Sequence, residues 1–522
     1  MKHLRTIKTN KPVTAATVSW YGPVLVAVVI SVLYFLFHLH FMQQFNDNDQ
    51  YVYERNIYLD IQDIRPTMYN PHHLHFEITG KLFHNAVKSV FGKYGLTNLA
   101  FNLRLRSLLT ACAGIFFLFL YLYDITKKYP LSVFGTMLTA FTHGYLSYAT
   151  KIDTGIFSLT AFILVMFITR KIEISKKGTI YLAVIGGIVL FIAIMAHQFL
   201  AIACVIACVT IGLPPYLFPK KNPFSPFSIH NKNNNPGKID LNPKARYSAA
   251  VLMAFLGIIL TVGAYFCAGK SQYKLPFGNP GPSESIFVFQ GLSFQQWLFF
   301  YEYVGDWGTE IDTFNPKDPF RGFTDSFLSQ TEKPTHYNRN HTFMYDIDTP
   351  LIKSAFTHNQ FAYFTIGVLF LGLFLIPGLW KMYGRTIFFV LSNFGLYTAF
   401  SSYWESFYYE FWLIPALLFI LLGVFLLHFL TLKLKHFFSS FSEIPVLSYA
   451  LYFLIIISSH NMLYYTVPFS RERQGEGIYW IEDKTWRNRV YHEHVYKHPE
   501  NVYRGIYPPL PDDIYGYSSS GK

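Results

Sequence analysis

Two aspartates stand just after the first apolar run of the chain. The run covers residues 20–43, and Asp47 and Asp49 follow it, separated by one asparagine. Cationic residues commonly anchor the ends of such runs, so a pair of acids here suggests a chemical role. A carboxylate within hydrogen-bond distance of a hydroxyl can act as a general base. Asp47 or Asp49 is therefore our candidate catalytic base.

A second site candidate is the short polar segment SYATKIDTG at 147–155, which separates two apolar runs and carries Lys151 and Asp153. So short a segment holds its charged side chains close to the ends of the flanking runs. A lysine there could stabilise a developing negative charge. Asp153 could bind substrate or simply be solvated. We predict a substrate-binding role for both residues.

Further polar residues that could bind a substrate lie between or within apolar runs. A histidine at membrane depth is costly unless it faces a cavity or a partner, and His197 interrupts one long apolar run. Two glutamates lie in the aromatic stretch SSYWESFYYEFW at 401–412, where they could accept hydrogen bonds from hydroxyls or be solvated. The remaining predicted substrate-binding residues are Arg65, His72, His73, His197, Gln198, Glu405 and Glu410.

The histidines in YNPHHLHFE raise the question of a metal. Their H-H-x-H spacing does not match the i, i+4 spacing of ligands on one helix face, and Asn70-Pro71 favours a helix start at this point. Hard cations such as Mg²⁺ or Mn²⁺ prefer carboxylates, so the acidic motif is the better place for such an ion. The sequence leaves both the metal and its ligands open.

Composition indicates the class of protein that must position these residues. Of the 522 residues, 52% are hydrophobic and only 14% are charged, and the apolar residues come in long blocks. The formal net charge is +12, but the cations lie between apolar blocks rather than along a basic stripe, so we expect no nucleic-acid partner. All four cysteines lie in apolar blocks, and neither a disulfide framework nor a CxxC metal site is indicated.

The apolar blocks predict an all-α polytopic membrane protein, because about 20 residues of helix cross a bilayer. The predicted spans number eleven: 20–43, 104–124, 130–149, 154–170, 179–196, 199–217, 247–268, 360–380, 385–403, 409–432 and 445–463. The run 179–217 is too long for one crossing, so we predict a hairpin near His197. The first span follows a basic stretch, but its length and the lack of a small-x-small site favour an uncleaved helix.

Basic residues set the predicted orientation. Cationic loops are retained on the cytoplasmic side, and with the N-terminus inside, the inner segments are rich in Lys and Arg and hold only four acids. The C-terminus is then extracytoplasmic. We predict a transmembrane domain over 1–463, with a first outer loop at 44–103 and a long outer loop at 269–359, followed by an extracytoplasmic tail over 464–522. Residues 72–91 and 285–308 have amphipathic patterns typical of helices that lie along a membrane or over a bundle.

This arrangement resembles the GT-C superfamily of integral membrane glycosyltransferases. The resemblance rests on the many spans, the acidic Asp47-Asn48-Asp49 motif after the first span, the charged short loop with Lys151 and Asp153, and the second long outer loop. It implies a polyprenyl-phosphate-linked sugar as donor, an acceptor hydroxyl on a lipid, glycan or protein, and an inverting transfer at the extracytoplasmic face. Some members of the superfamily use a divalent cation with the acidic motif.

Two other classes compete with this interpretation. A transporter or flippase would show ionisable residues within its spans or related halves with broken helices, and the sequence shows few of the former and no evident repeat. A lipid-linked oligosaccharide polymerase or ligase would favour an arginine-rich catalytic loop. We expect the chain in a bacterial inner membrane rather than in an endoplasmic reticulum.

Overall fold

The computed structural model describes residues 21–42, 53, 57, 61, 73–94, 96, 98–175, 179–214, 217, 243–273, 317–329, 355–403, 409–438 and 443–467. Within these ranges the chain is helical and contains no strand. Eight of the described helices are long and apolar enough to cross a membrane. The chain is thus an integral membrane protein of the all-α, polytopic class.

The helices are numbered in chain order. They are α1 (Tyr21–His40), α2 (Phe76–Phe91), α3 (Leu99–Thr126), α4 (Tyr129–Ala140), α5 (His143–Tyr148), α6 (Gly155–Ile174), α7 (Thr179–Ala196), α8 (Ala201–Gly212), α9 (Pro243–Tyr273), α10 (Lys317–Phe327), α11 (Ala355–Tyr383), α12 (Arg385–Tyr403), α13 (Leu413–Phe437) and α14 (Ile444–Asn461). A π-helical turn, Met462–Thr466, continues α14. Short 3₁₀ turns follow α2 and precede α8.

Every predicted span overlaps a described helix, but the eight long apolar helices do not account for all eleven. The predicted span 130–149 is divided into α4 and α5, because Thr142 accepts a hydrogen bond from the backbone N–H of Tyr145 and so begins a new helix. Helix α8 has only 12 residues. Helix α12 is long enough, with 19 residues, but carries more polar side chains. The count of eleven crossings stays a prediction.

The chain reverses at His197, as the hairpin interpretation requires. His197 has extended backbone angles and ends α7. The Sγ of Cys204 lies 3.7 Å from the carbonyl oxygen of Leu190. In one continuous helix, residues 14 positions apart are about 21 Å apart along the axis. Helices α7 and α8 are therefore neighbours in a hairpin.

The contacts sort the connections between helices into two ends of the bundle. Hydrogen bonds and ring contacts join the segments 73–94, 141–154, 197–200, 325–329, 409–412 and 461–466, and we call this the loop end. At the opposite, basic end, Lys171 and Lys127 pair with Asp124, and Lys128 pairs with Glu443. This grouping matches the alternation that the charge pattern predicts, while the compartment each end faces stays a prediction.

Packing differs sharply among the spanning helices. In the most apolar window of α13, 83% of the residues are buried, against 17% in α11 and 22% in α1. Helix α13 therefore forms the centre of the bundle, and α1 and α11 have faces suited to lipid. Gly144 of α5 lies so close to α13 that a Cβ there would be 2.5 Å from Leu413 and 3.3 Å from the backbone oxygen of Ser326.

Candidate functional site at the loop end

Several predicted site residues lie outside the described residues. They are Asp47, Asp49, Arg65, His72 and Glu405. Their assignment as base, anion partner and substrate ligands stays a prediction. The amphipathic segment 285–308 and nearly all of the predicted tail 464–522 also lie outside the described part.

The short polar loop between α5 and α6 buries an ion pair. The Nζ of Lys151 lies 3.2 Å from Oδ2 of Asp153, and the side chains are 4% and 2% exposed. The ammonium group also lies 4.5 Å from the centre of the Tyr148 ring. A buried charge is costly unless it is paired, so each of these two charges requires the other. The loop holds both side chains inside the protein, which excludes the solvated interpretation of Asp153.

Glu410, which precedes α13, joins this pair from another element. The Tyr148 hydroxyl donates to Oε2 of Glu410 at 3.0 Å, and the Thr154 hydroxyl lies 3.4 Å from Oε1. The backbone N–H of Thr154 donates to Oδ1 of Asp153. We call Tyr148, Lys151, Asp153, Thr154 and Glu410 the carboxylate cluster.

Close packing holds the carboxylate cluster in place. Gly155 opens α6, and a Cβ there would lie 2.7 Å from the Tyr148 ring and 3.2 Å from Oε1 of Glu410. Only glycine lets the helix start so near both groups. Asp153 lies just before this helix start, where the N-terminal dipole favours a negative charge.

The chemistry of the carboxylate cluster is that of a hydrogen-bond acceptor site with one cation. Thr154 has a single hydroxyl proton, and its oxygen lies 3.5 Å from Asp153 and 3.4 Å from Glu410, so it can donate to only one carboxylate at a time. Carboxylate oxygens have more than one lone pair, so those of Asp153 and Glu410 have the chemistry to accept from substrate hydroxyls. Glu410 is partly exposed, while Asp153 is buried, so Glu410 is the member closer to solvent.

A second group brings together predicted residues from the first loop and the α7–α8 turn. The Nε2 of His73 lies 2.6 Å from the Tyr53 hydroxyl, and the rings of His73 and His197 are 5.7 Å apart. Gln198 forms a hydrogen bond with the Tyr265 hydroxyl of α9. The structure therefore places His73 and His197 side by side, whereas Gln198 anchors the turn to α9.

His75 has a structural role that its sequence pattern did not reveal. Its Nδ1 donates to the carbonyl oxygen of Met195 at 2.6 Å, which fixes the first loop to α7. Burial lowers the pKa of His75 to about 4; the hydrogen bond to Met195 opposes this shift, and the charge of Arg106 adds to it. His75 is therefore neutral at physiological pH.

Histidine ligation of a metal finds no support among the described residues. Nowhere in them do three or more His, Cys, Asp or Glu side chains converge as metal ligands. His73 and His75 turn to different partners, a tyrosine hydroxyl and a backbone carbonyl. The acidic motif at Asp47 and Asp49 lies outside the described residues.

The first loop packs against both groups. Ile152, between Lys151 and Asp153, is fully buried and packs in one apolar cluster with Tyr53 and Phe76. Tyr53 is also the partner of His73. Described residues of the first loop thus contact both the histidine group and the short polar loop of the carboxylate cluster.

Sequence reasoning missed Arg106, which fastens α2 to α3. Its Nη1 donates to the carbonyl oxygen of Phe76 at 2.7 Å and to the Thr79 hydroxyl at 3.0 Å. The guanidinium also lies 4.2 Å from the ring centre of Phe76 and 4.7 Å from that of Phe157. The signal was available, since an arginine that interrupts an apolar run requires a buried partner.

Sequence reasoning also missed a polar junction between α5, the segment before α13 and the π-helical turn that continues α14. Tyr465 of the π-helical turn donates to the Ser147 hydroxyl at 2.8 Å, and Ser147 lies 2.9 Å from the Tyr409 hydroxyl. The His143 ring packs between Tyr409 and Tyr465, with centres 4.9 and 4.6 Å away. The polar letters of HGYLSY within an apolar run were the available signal. π-helical turns recur at functional sites, and this junction includes one.

Comparison with known proteins adds no relative. No protein-family model matches the chain, and no curated protein sequence matches it. The function must therefore be argued from the site itself.

Proposed function

We propose that this chain is a membrane glycosyltransferase that moves a sugar from a polyprenyl-phosphate donor to an acceptor hydroxyl. The observation that carries the proposal is the buried carboxylate cluster, with its single lysine, under the first loop of a polytopic membrane protein. Such a place suits an amphipathic donor, whose reactive carbon stays near the headgroup plane while its lipid tail stays in the bilayer. The resemblance to the GT-C superfamily supports the same conclusion.

The proposed reaction is an inverting displacement. The acceptor hydroxyl loses its proton to Asp47 or Asp49 as its oxygen attacks C1 of the sugar from the face opposite the phosphate. The bond from C1 to the phosphate oxygen breaks, and its electron pair leaves with the polyprenyl phosphate. This leaving group departs as an anion and needs no proton. Cations and hydrogen-bond donors must instead stabilise its charge.

The remaining residues take supporting roles in this proposal. Lys151 and Arg65 stabilise the leaving phosphate, and His72, His73 and His197 are donors to phosphate or sugar oxygens. Asp153, Glu405 and Glu410 accept hydrogen bonds from sugar hydroxyls, and Gln198 lies at the same turn as His197. A Mg²⁺ or Mn²⁺ ion, if one is used, would bind at the aspartates. We place the loop end on the extracytoplasmic side of a bacterial inner membrane.

Transport is the competing function, and the described spans favour it less. A carrier needs ionisable residues that face a path through the membrane. Arg106 lies in a span, but its contacts are with α2 and two phenylalanine rings at the loop end. Asp124 is in contact with lysines at the basic end. Neither lies midway along its helix.

The test is turnover in a defined bilayer. Full-length protein in lipid nanodiscs is incubated with polyprenyl-phosphate sugars and a mixture of candidate acceptors, and released polyprenyl phosphate is measured by mass spectrometry. We expect release by the wild type, and loss of release in Asp47→Asn or Asp49→Asn with unchanged yield of folded protein. Asp318→Asn, which removes an acid from α10, is the control and should stay active. Normal activity in both motif variants would refute the assignment of the base. If no donor led to release of polyprenyl phosphate, the proposed transferase activity would be refuted.

A further inference from the structure

The end of α10 enters the bundle far more deeply than a surface loop would. Residues 325–329 are at most 1% exposed, a level typical of a protein core. Two side chains of α14 hold the backbone there. Asn461 donates to the carbonyl oxygen of Phe327 at 2.7 Å and accepts from the N–H of Ser329 at 2.9 Å, and His460 lies 2.9 Å from the carbonyl oxygen of Ser329.

This docked segment carries a buried carboxyl group with a long contact to a single described cation. Asp325 is 1% exposed, and its Oδ2 accepts no hydrogen bond from the described residues. Among the described residues, the cation paired with it is Arg321, whose Nε lies 3.6 Å away and whose side chain is 43% exposed. Asp325 also lies in the last turn of α10, where the helix dipole disfavours a negative charge.

The other elements packed against α10 supply few charges to Asp325. From α5, His143 donates from Nδ1 to the backbone oxygen of Asp325 at 2.7 Å, a bond that does not involve the carboxyl group. From α14, His460 bonds to Ser329, and from α11, His358 packs against His460. Near the start of α13 the facing residues are aromatic, with Trp412 and Phe419 against Phe323.

We propose that the end of α10 is a proton-dependent latch, docked while the Asp325 carboxyl group is protonated and loosened when the group loses its proton. Burial raises the pKa of Asp325 to about 7, and the nearby charge of Arg321 limits the rise. An acid whose pKa is higher in the docked than in the released state favours docking at low pH. That preference is lost as the pH rises through 7.

The latch is connected to the carboxylate cluster through side-chain contacts. His143, which bonds to the backbone of Asp325, packs against Tyr409, and Tyr409 immediately precedes Glu410. Release of α10 would remove the backbone partner of His143, whose ring packs against the residue before Glu410. The latch itself stands on the docking contacts and is independent of the transferase proposal.

Hydrogen exchange tests the latch without any substrate. Full-length protein in nanodiscs is followed by mass spectrometry at pH 6 and pH 8.5, with rates corrected for the intrinsic pH dependence of exchange. A carboxyl pKa of about 7 when docked and about 3.8 when released predicts a loss of protection over 325–329 of about tenfold between these pH values. Asp325→Asn should show no such loss, and the matched control Asp318→Asn should behave as the wild type.

A second variant keeps the test decisive if Asp325→Asn fails to fold. Arg321→Gln removes the cation that offsets burial, so the loss of protection at pH 8.5 should exceed that of the wild type. Equal protection of the wild-type segment at both pH values would overturn the latch. So would a pH-dependent loss that persists in Asp325→Asn, because another group would then be titrating.

Discussion

The Lys151–Asp153 pair allows a stability test that also separates a structural role from a chemical one. At 3.2 Å, two unit charges attract by about 5 kcal/mol at an effective dielectric constant of about 20. Most of this energy only offsets the cost of burying the charges. Removing one partner leaves the other charge buried, which typically costs about 3–5 kcal/mol.

We therefore expect Lys151→Met and Asp153→Asn each to lower the free energy of unfolding by about 3–5 kcal/mol. The double variant buries no charge at this place and should be more stable than either single variant. Unfolding by SDS in mixed micelles, followed by tryptophan fluorescence, measures all four proteins of the double-mutant cycle.

Activity then distinguishes the two roles. If the pair binds substrate, the double variant recovers stability but releases no polyprenyl phosphate in the nanodisc assay. A double variant that recovers both would show that the pair is only structural. If the two single effects simply add, the ion pair contributes no coupling and the reasoning from burial is wrong.

Three further outcomes are expected from unfolding measurements in the same micelles. Gly144→Ala should lower the free energy of unfolding by about 1–3 kcal/mol, because the new methyl group overlaps Leu413. Gly367→Ala, with open space around the glycine, should be neutral or slightly stabilising. Similar values for the two variants would contradict the packing. Because the pKa of His75 is lowered to about 4, the free energy of unfolding of the wild type should fall as the pH drops from 6.5 toward 4. His75→Asn should show less of this fall. Identical curves of stability against pH for the two proteins would refute the pKa shift. Arg106→Met should lower the free energy of unfolding by more than about 2 kcal/mol, since two hydrogen bonds and two ring contacts are lost. It should also speed proteolysis of the first loop. An unchanged rate of cleavage would show that other contacts hold α2.

The spanning helices could be predicted because lipid imposes a simple length rule on apolar runs. Even the reversal at His197 followed from the excess length of one run. The break at Thr142 could not be predicted this way, because the whole run 130–149 has the length and mean hydropathy of one span. A side-chain cap decided between one helix and two, and such a cap depends on local geometry that hydropathy does not contain.

The candidate site was predictable in part. Lys151, Asp153, His73, His197 and Glu410 were chosen from the sequence, and the structure places them in two groups under one loop. Their partners were not predictable, since Tyr148, Thr154 and Tyr53 are common residue types whose roles arise only from proximity. Asp325 was missed because a single acid in a long loop normally faces water.

The short helices have a consequence for the backbone at the loop end. Helices α4 and α8 have 12 residues each, about 18 Å, while a hydrocarbon core is about 30 Å thick. Beyond α4 the chain continues through a break into α5, and a 3₁₀ turn separates α7 from α8. Where water is absent, backbone groups at such breaks must find partners within the protein. Asn461 donates to the carbonyl oxygen of Phe141 at 2.7 Å, so the break after α4 is satisfied by a side chain 320 residues further along the chain.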